Sequence, residues 1–151
     1  MKSKKNFGGM LAMALVFGMM FASCSCDDGD TNYFGTLDLD RGAPSPAALN
    51  AGGLTQAQYD QILTAAGGGG FQGWTIEENN LLMVWTGRSK ANFTSTANVL
   101  RNLFNESSRG EDEDGVLVAR GSRHFLGFFP TSLSEDGYYI PARTLFLFIW
   151  R

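Results

Sequence analysis

The sequence has few of the residues that build disulfides, zinc sites and histidine-dependent active sites. Among its 151 residues are two cysteines, Cys24 and Cys26, and one histidine, His124. A disulfide between cysteines two positions apart would be strained, and no third cysteine is present to pair with either. Zinc sites usually combine several cysteine and histidine ligands. The sequence therefore predicts no disulfide framework, no metal site and no cofactor, so the domain must be held together by its core.

Basic residues are also scarce, which limits the partners of the protein. The chain has twelve lysines and arginines against fifteen aspartates and glutamates. If residues 1–23 are removed, Lys2, Lys4 and Lys5 are lost with them, and residues 24–151 carry a formal charge of −6. Phosphate backbones and anionic lipid surfaces do not attract an acidic protein. We therefore expect no nucleic-acid partner.

The beginning of the chain has the organisation of a secretory signal peptide. Basic residues precede an apolar run of 16 residues, at positions 7–22, and small residues precede Cys24. A membrane-spanning helix needs about 20 apolar residues, so this run is marginal as a permanent anchor.

The segment at 21–24, Phe-Ala-Ser-Cys, resembles the lipobox of bacterial lipoprotein precursors. Phe21 stands in place of the usual leucine, which is similar to the lax lipoboxes of spirochaetes. The resemblance implies cleavage before Cys24 and attachment of lipid, such as palmitate, to that cysteine. Three alternatives stay open: an uncleaved anchor, an ordinary signal peptide that leaves a soluble product, and acylation of Cys26.

The predicted domain organisation has three parts: a signal peptide at 1–23, a flexible tether at 24–53 and one domain at 54–151. The tether is polar around Asp27–Asn32 and rich in proline and small residues at 43–48, a composition that buries little apolar surface. Its Asp28/Asp30/Asn32 spacing fails as a calcium loop, because Tyr33 stands where the turn glycine of an EF-hand belongs. We expect the lipid at Cys24 to hold the domain at a membrane of the cell envelope, on the periplasmic face or the cell surface.

Hydrophobic periodicity and turn residues predict the elements of the domain. Thr55 and Gln58 form a capping box for a helix at 55–66, and the glycines at 67–70 end it as a hinge rather than a phosphate loop. The other predicted elements are a strand at 81–85, a helix from 94 or 95 to 106, a hairpin at 116–129 and a last strand at 138–150 that Pro141 bends or breaks.

The last strand is apolar on both faces, so it is expected to be central and covered on both sides. An exposed aromatic surface for a partner is the alternative. We predict an α+β fold with about four to five strands, mostly antiparallel, and two packed helices. The order strand, helix, strand from 81 to 119 fits either a parallel βαβ crossover or a helix across an antiparallel sheet.

Three arginines form the candidate binding site. Arg88 precedes the second predicted helix, whose amino end is partially positive, and Arg120 and Arg123 flank a turn. If the strands at 81–85 and 116–119 ran parallel, Arg88 and Arg120 would meet at one sheet edge. Such a cluster would bind a carboxylate, a phosphate or a sulfated sugar. The alternative is that the arginines form surface ion pairs with acidic residues.

No catalytic constellation appears. His124 opens a predicted strand and could act as a general base only with a partner nucleophile, and Ser122 on the same strand face does not complete a triad. The acidic run at 111–114 is typical of a solvated loop. The sequence thus favours a small lipid-anchored envelope protein with a non-catalytic role, binding an envelope protein or a small anionic ligand. A hydrolase using His124 and a structural envelope component are the alternatives.

Overall fold

The computed structural model describes residues 31–32, 39–135 and 138–151. The predicted signal peptide at 1–23, Cys24 and Cys26 lie outside these residues, as do 24–30 and 33–38 of the predicted tether and the last two residues of the predicted turn at 134–137. The helices are α1 (Pro46–Gly52), α2 (Gln56–Ala66) and α3 (Lys90–Leu103). The strands are β1 (Thr31–Asn32), β2 (Phe71–Glu77), β3 (Asn80–Trp85), β4 (Ser108–Glu111), β5 (Leu117–Arg120), β6 (His124–Phe129), β7 (Leu133–Glu135), β8 (Tyr138–Ile140) and β9 (Thr144–Ile149).

The predicted α+β class is confirmed, with more elements than the sequence pattern indicated. Six strands form one sheet in the order β2-β3-β9-β6-β5-β4, and every neighbouring pair is antiparallel. Strands β1, β8 and β7 form a smaller sheet. The last strand, β9, lies between β3 and β6, so the end of the chain forms the centre of the main sheet.

Strand β9 is buried on both faces, which confirms its predicted central position. Leu145, Leu147 and Ile149 belong to the core cluster that includes buried residues of all three helices. Phe146 and Phe148 belong to the core of the opposite face and are 0% and 5% exposed. The ring of Phe146 packs over Gly127 on β6, where a Cβ would collide with it. The alternative of an exposed aromatic strand is therefore wrong.

Two helices were predicted, and one has the expected position. Helix α2 begins after Thr55, whose hydroxyl accepts from the Gln58 N–H while the Gln58 side chain accepts from the Thr55 N–H. Helix α3 begins at Lys90, four or five residues before the predicted start at 94 or 95, and it ends at Leu103 rather than at 106. Its capping box uses Ser89 with an asparagine, Asn92, in the place where glutamate or glutamine is usual.

The predicted flexible tether does not extend to residue 53. Ser45 caps α1, Pro46 occupies its first turn, and Ala48 and Leu49 are buried against the domain. Gly52 lies against the sheet, where a Cβ would come within 3.0 Å of Ile149 and 3.1 Å of Leu81. Small residues at Ala48 and Gly52 thus let this short helix approach the sheet closely. This segment has the composition of a linker, but it forms a helix that packs against the sheet.

The remaining differences lie at the sheet edges and in the last strand. The sequence pattern did not predict β2, which carries Gly73 at a register irregularity and pairs with β3. The predicted strand at 138–150 is two strands, β8 and β9, separated at Pro141 and at Arg143, which has φ 63°. The hairpin formed by β5 and β6 is confirmed.

Candidate functional site

The antiparallel sheet places the candidate arginines at opposite ends. Register pairs Trp85 with Leu145 at one end of the sheet, and Leu81 with Ile149 and Ile149 with His124 at the other. We call these the Arg88 end and the His124 end. Strand β5 runs opposite to β3, so Arg120 and Arg123 lie at the His124 end, far from Arg88. The parallel crossover that would have brought Arg88 and Arg120 together is not formed, so the three arginines do not meet at one edge of the sheet.

At the Arg88 end, the guanidinium of Arg88 is bonded to backbone carbonyls. Its Nη1 donates to the carbonyl of Ala66 at 3.2 Å, at the carboxyl end of α2, and its Nε donates to the carbonyl of Thr86 at 3.3 Å. The last carbonyls of a helix lack intrahelical donors and carry partial negative charge. Arg88 is therefore a cation that caps α2.

The glycines that follow α2 make room for this contact. A Cβ at Gly67 would collide with Arg88, and one at Gly70 would collide with the carbonyl oxygen of Thr86. Both glycines have positive φ, +95° and +79°. Glycine at 67 and 70 thus lets this segment pack closely against Arg88 and the carbonyl that follows β3. This packing explains the two glycines without a phosphate loop or a hinge.

This packing yields a test with a matched control two residues away in the same segment. We expect Gly70→Ala to lower the free energy of unfolding by about 1–3 kcal/mol, because the residue has positive φ and its Cβ meets the Thr86 carbonyl. Gly68→Ala meets nothing within 4 Å and should change it by less than about 0.5 kcal/mol. Urea unfolding followed by tryptophan fluorescence measures both. Equal effects of the two substitutions would contradict the packing.

At the His124 end, Arg123 performs the same function for α1. Its Nη2 donates to the carbonyl of Gly53 at 2.9 Å, and its Nε donates to the carbonyl of Trp150 at 3.1 Å. The guanidinium carbon lies 4.3 Å from the centre of the Phe104 ring, a cation–π contact. Arg123 therefore joins α1, α3 and the segment after β9.

Arg120 has a looser environment. Its guanidinium carbon lies 5.3 Å from the centre of the Phe125 ring, on the face of the sheet opposite the helices, and the residue is half-buried. Its backbone carbonyl accepts from Ser107. The predicted surface ion pairs do not involve Arg88, Arg120 or Arg123 among the described residues.

His124 is enclosed rather than presented to a substrate. Its side chain is fully buried, and neither ring nitrogen has a hydrogen-bond partner in the part of the chain that the structure describes. Burial lowers the pKa of the imidazole, and the Arg123 cation lowers it further, while the Glu106 carboxylate opposes both. A general base must reach the proton that it removes. The neighbouring Ser122 is exposed and His124 is not, so the two do not form a nucleophile–base pair.

The acidic run at 111–114 forms a turn. Oδ1 of Asp112 accepts from the N–H groups of Asp114 and Val116, and burial is the main cause that raises the pKa of this carboxyl. Over residues 39–135 and 138–151, no group of three acidic, histidine or cysteine side chains is arranged to hold a metal ion.

An open pocket at the His124 end combines polar side chains from three segments. It has a volume of about 500 Å³, within the range of small-molecule sites. Helix α1, the turn between β2 and β3, and the residues after β9 line it with Ala47, Asn50, Ala51, Asn79, Asn80, Trp150 and Arg151. None of these residues was a candidate in the sequence, because the three segments meet only through the order of the sheet.

The walls of this pocket are fixed by the packing around it. Gly52 and the Arg123 contacts hold α1 against β3 and β9. The indole N–H of Trp150 donates to the carbonyl of Ser122 at 3.0 Å. Glu78 and Asn79 have φ of 51° and 70°, as in the tight hairpin turns that join antiparallel strands. The pocket is therefore largely preformed.

No family model, no curated protein and no solved structure matches this chain. Within residues 31–32, 39–135 and 138–151, every helix is too short or too polar to cross a membrane.

Proposed function

We propose that this chain is a small lipid-anchored protein of the bacterial cell envelope with a non-catalytic binding role. The membrane attachment rests on the basic start, the apolar run at 7–22 and the lipobox-like Phe-Ala-Ser-Cys at 21–24. Under this proposal Cys24 becomes the acylated first residue of the mature protein. The domain then lies on the periplasmic face of a membrane or at the cell surface.

The observation that carries the binding role is the pocket at the His124 end. Its lining offers three carboxamides, a guanidinium and an indole, and contains no serine, cysteine, histidine or carboxylate side chain. Such a set can donate and accept hydrogen bonds, but it supplies neither a nucleophile nor a general base. Binding without chemistry is the function that this set of side chains supports best.

The hydrolase alternative loses its support at His124. The imidazole is fully buried, and neither of its nitrogens has a hydrogen-bond partner among the described residues. If a hydrolytic activity is found in the protein, its retention by a His124→Gln variant would exclude this histidine as the base.

Lipid attachment is tested by exchanging the two cysteines separately. We expect metabolic labelling with radioactive palmitate to mark the wild-type protein and Cys26→Ala equally, because only Cys24 stands at the end of the lipobox-like segment. Cys24→Ala should incorporate no label and should leave the membrane fraction or remain unprocessed. Mass spectrometry of the mature amino terminus identifies the acylated residue. Label lost in Cys26→Ala and kept in Cys24→Ala would contradict the assignment.

A further inference from the structure

We infer that the pocket at the His124 end binds a neutral, hydroxyl-rich ligand, namely a short stretch of glycan. The inference rests on the proposed binding function and names the ligand class for the same site. Its lining residues come from α1, from the turn between β2 and β3, and from the segment after β9.

The hydrogen-bonding groups of the pocket match sugar hydroxyls. A sugar hydroxyl donates one hydrogen bond and accepts others, and a carboxamide likewise offers two donors and an acceptor. The side chains of Asn79 and Asn80 make no hydrogen bond within the described part of the chain, so their full capacity is open to a ligand. Asn50 accepts one weak bond from Arg151 at 3.4 Å and keeps its amide donors.

The apolar part of the pocket is small and of a kind that suits a sugar ring. Trp150 is half-buried and lines the pocket, so its indole offers an apolar surface to the C–H groups of a pyranose. The methyl groups of Ala47 and Ala51 are the remaining apolar contacts. The lining contains no aliphatic side chain larger than that of alanine, so it offers little apolar surface to a peptide side chain.

Two other ligand classes fit the same residues less well. A peptide that adds as a strand needs a free sheet edge, whereas β3, which contains Asn80, already pairs with β2 and β9. An isolated phosphate favours several cations or the start of a helix. The pocket lining offers one guanidinium, that of Arg151. Only Ala47 comes from the first turn of α1, a helix of seven residues, and Asn50 and Ala51 come from its last turn.

The experiment uses the full 151-residue chain in detergent micelles, labelled with ¹⁵N. Maltotriose, tri-N-acetylchitotriose, triglycine and inorganic phosphate are added separately at millimolar concentration, and the side-chain amide signals of the asparagines are followed. We expect at least one of the two sugars to shift the signals of Asn50, Asn79 and Asn80. Triglycine and phosphate should leave them in place. A response to triglycine or phosphate but to neither sugar would overturn the sugar assignment while a binding role at this site stands.

Variants locate the response and separate it from the proposed function. Asn50→Ala and Asn80→Ala should each weaken the sugar affinity by about tenfold, the effect expected for one lost hydrogen-bonding group. Asn79 is left unchanged because its positive φ favours asparagine. Asn102→Ala, on the exposed face of α3, is the matched control and should bind as the wild type does.

Equal sugar affinity in Asn50→Ala, Asn80→Ala and the wild type would overturn the site. Absence of any response to both sugars would overturn the ligand class. Neither result affects the palmitate labelling of Cys24. The lipid anchor is therefore tested independently of the sugar site.

Discussion

Protonation of His124 should lower the stability of the folded protein as the pH falls below about 6.5, and a His124→Leu variant should not show this contribution. His124 is fully buried with no hydrogen-bond partner for either ring nitrogen among the described residues, and burial lowers the pKa of the imidazole below its ordinary value. Because the unfolded chain binds the proton at higher pH than the folded chain does, acidification favours unfolding. The slope reaches at most about 1.4 kcal/mol per pH unit.

The charged groups near His124 determine the pH range over which its protonation changes the stability. Glu106 raises the pKa of the imidazole and Arg123 lowers it, while the Phe104 ring, 6.3 Å from the imidazole centre, offers no acceptor. The contribution is complete above pH 6.5 and declines until the pH reaches the folded pKa, below which it is constant. Burial raises the pKa of Asp112, so protonation of this carboxyl favours the folded state as the pH falls further, which is opposite to the effect of His124.

Two measurements check the prediction. Urea unfolding of the wild type and of His124→Leu between pH 7.5 and about pH 5 gives the difference in free energy that belongs to this residue. Because His124 is the only histidine, its NMR titration in the folded protein is unambiguous. A folded pKa at or above the ordinary value, or equal pH dependence of the two proteins, would contradict the buried neutral imidazole.

Removal of the Arg123 guanidinium should be among the most destabilising single changes outside the core. We expect Arg123→Ala to lower the free energy of unfolding by about 3 kcal/mol, since bonds from a charged donor contribute about 1.5–3 kcal/mol each. The substitution leaves the carbonyls of Gly53 and Trp150 without these donors and removes the contact with Phe104. Urea unfolding at pH 7.5, above the titration of His124, measures the effect.

Two further variants define what Arg123 contributes. Arg123→Lys should recover little, because a single ammonium cannot reproduce the planar set of donors or the stacking on Phe104. Arg101→Ala, on the exposed surface of α3, should cost less than about 1 kcal/mol and controls for the loss of one positive charge. A loss in Arg123→Ala no larger than that of the control would show that the capping contacts do not stabilise the fold.

Local sequence patterns predict much of the fold. The Thr55/Gln58 capping box lies within four residues. The apolar residues of β9 face both sides of the strand, which indicates burial on both faces wherever the strand is placed in the sheet. Helix α1 was missed because small residues and prolines are typical of linkers as well. The burial of Ala48 and Leu49 and the packing of Gly52 against Leu81 and Ile149 distinguish the two cases, and these contacts are not local in sequence.

The candidate site could not be predicted because it depends on where β9 enters the sheet. The order strand, helix, strand is the same for parallel and antiparallel arrangements, and insertion of β9 between β3 and β6 decides the direction of β5. The acceptors of Arg88 and Arg123 include carbonyls 22 and 71 residues away in sequence. The pocket likewise unites residues near positions 50, 80 and 150.

Arg88 and Arg123 bind carbonyls at opposite ends of the sheet, so we expect them to stabilise the fold independently and to share no ligand site. The most direct test is a double-mutant cycle, in which urea unfolding is measured for Arg88→Ala, Arg123→Ala and the double variant, with and without phosphate. Distant residues give additive losses, so we predict a coupling energy below about 0.5 kcal/mol that phosphate does not change. A coupling above about 1 kcal/mol, or phosphate stabilisation that both single variants abolish, would contradict the account.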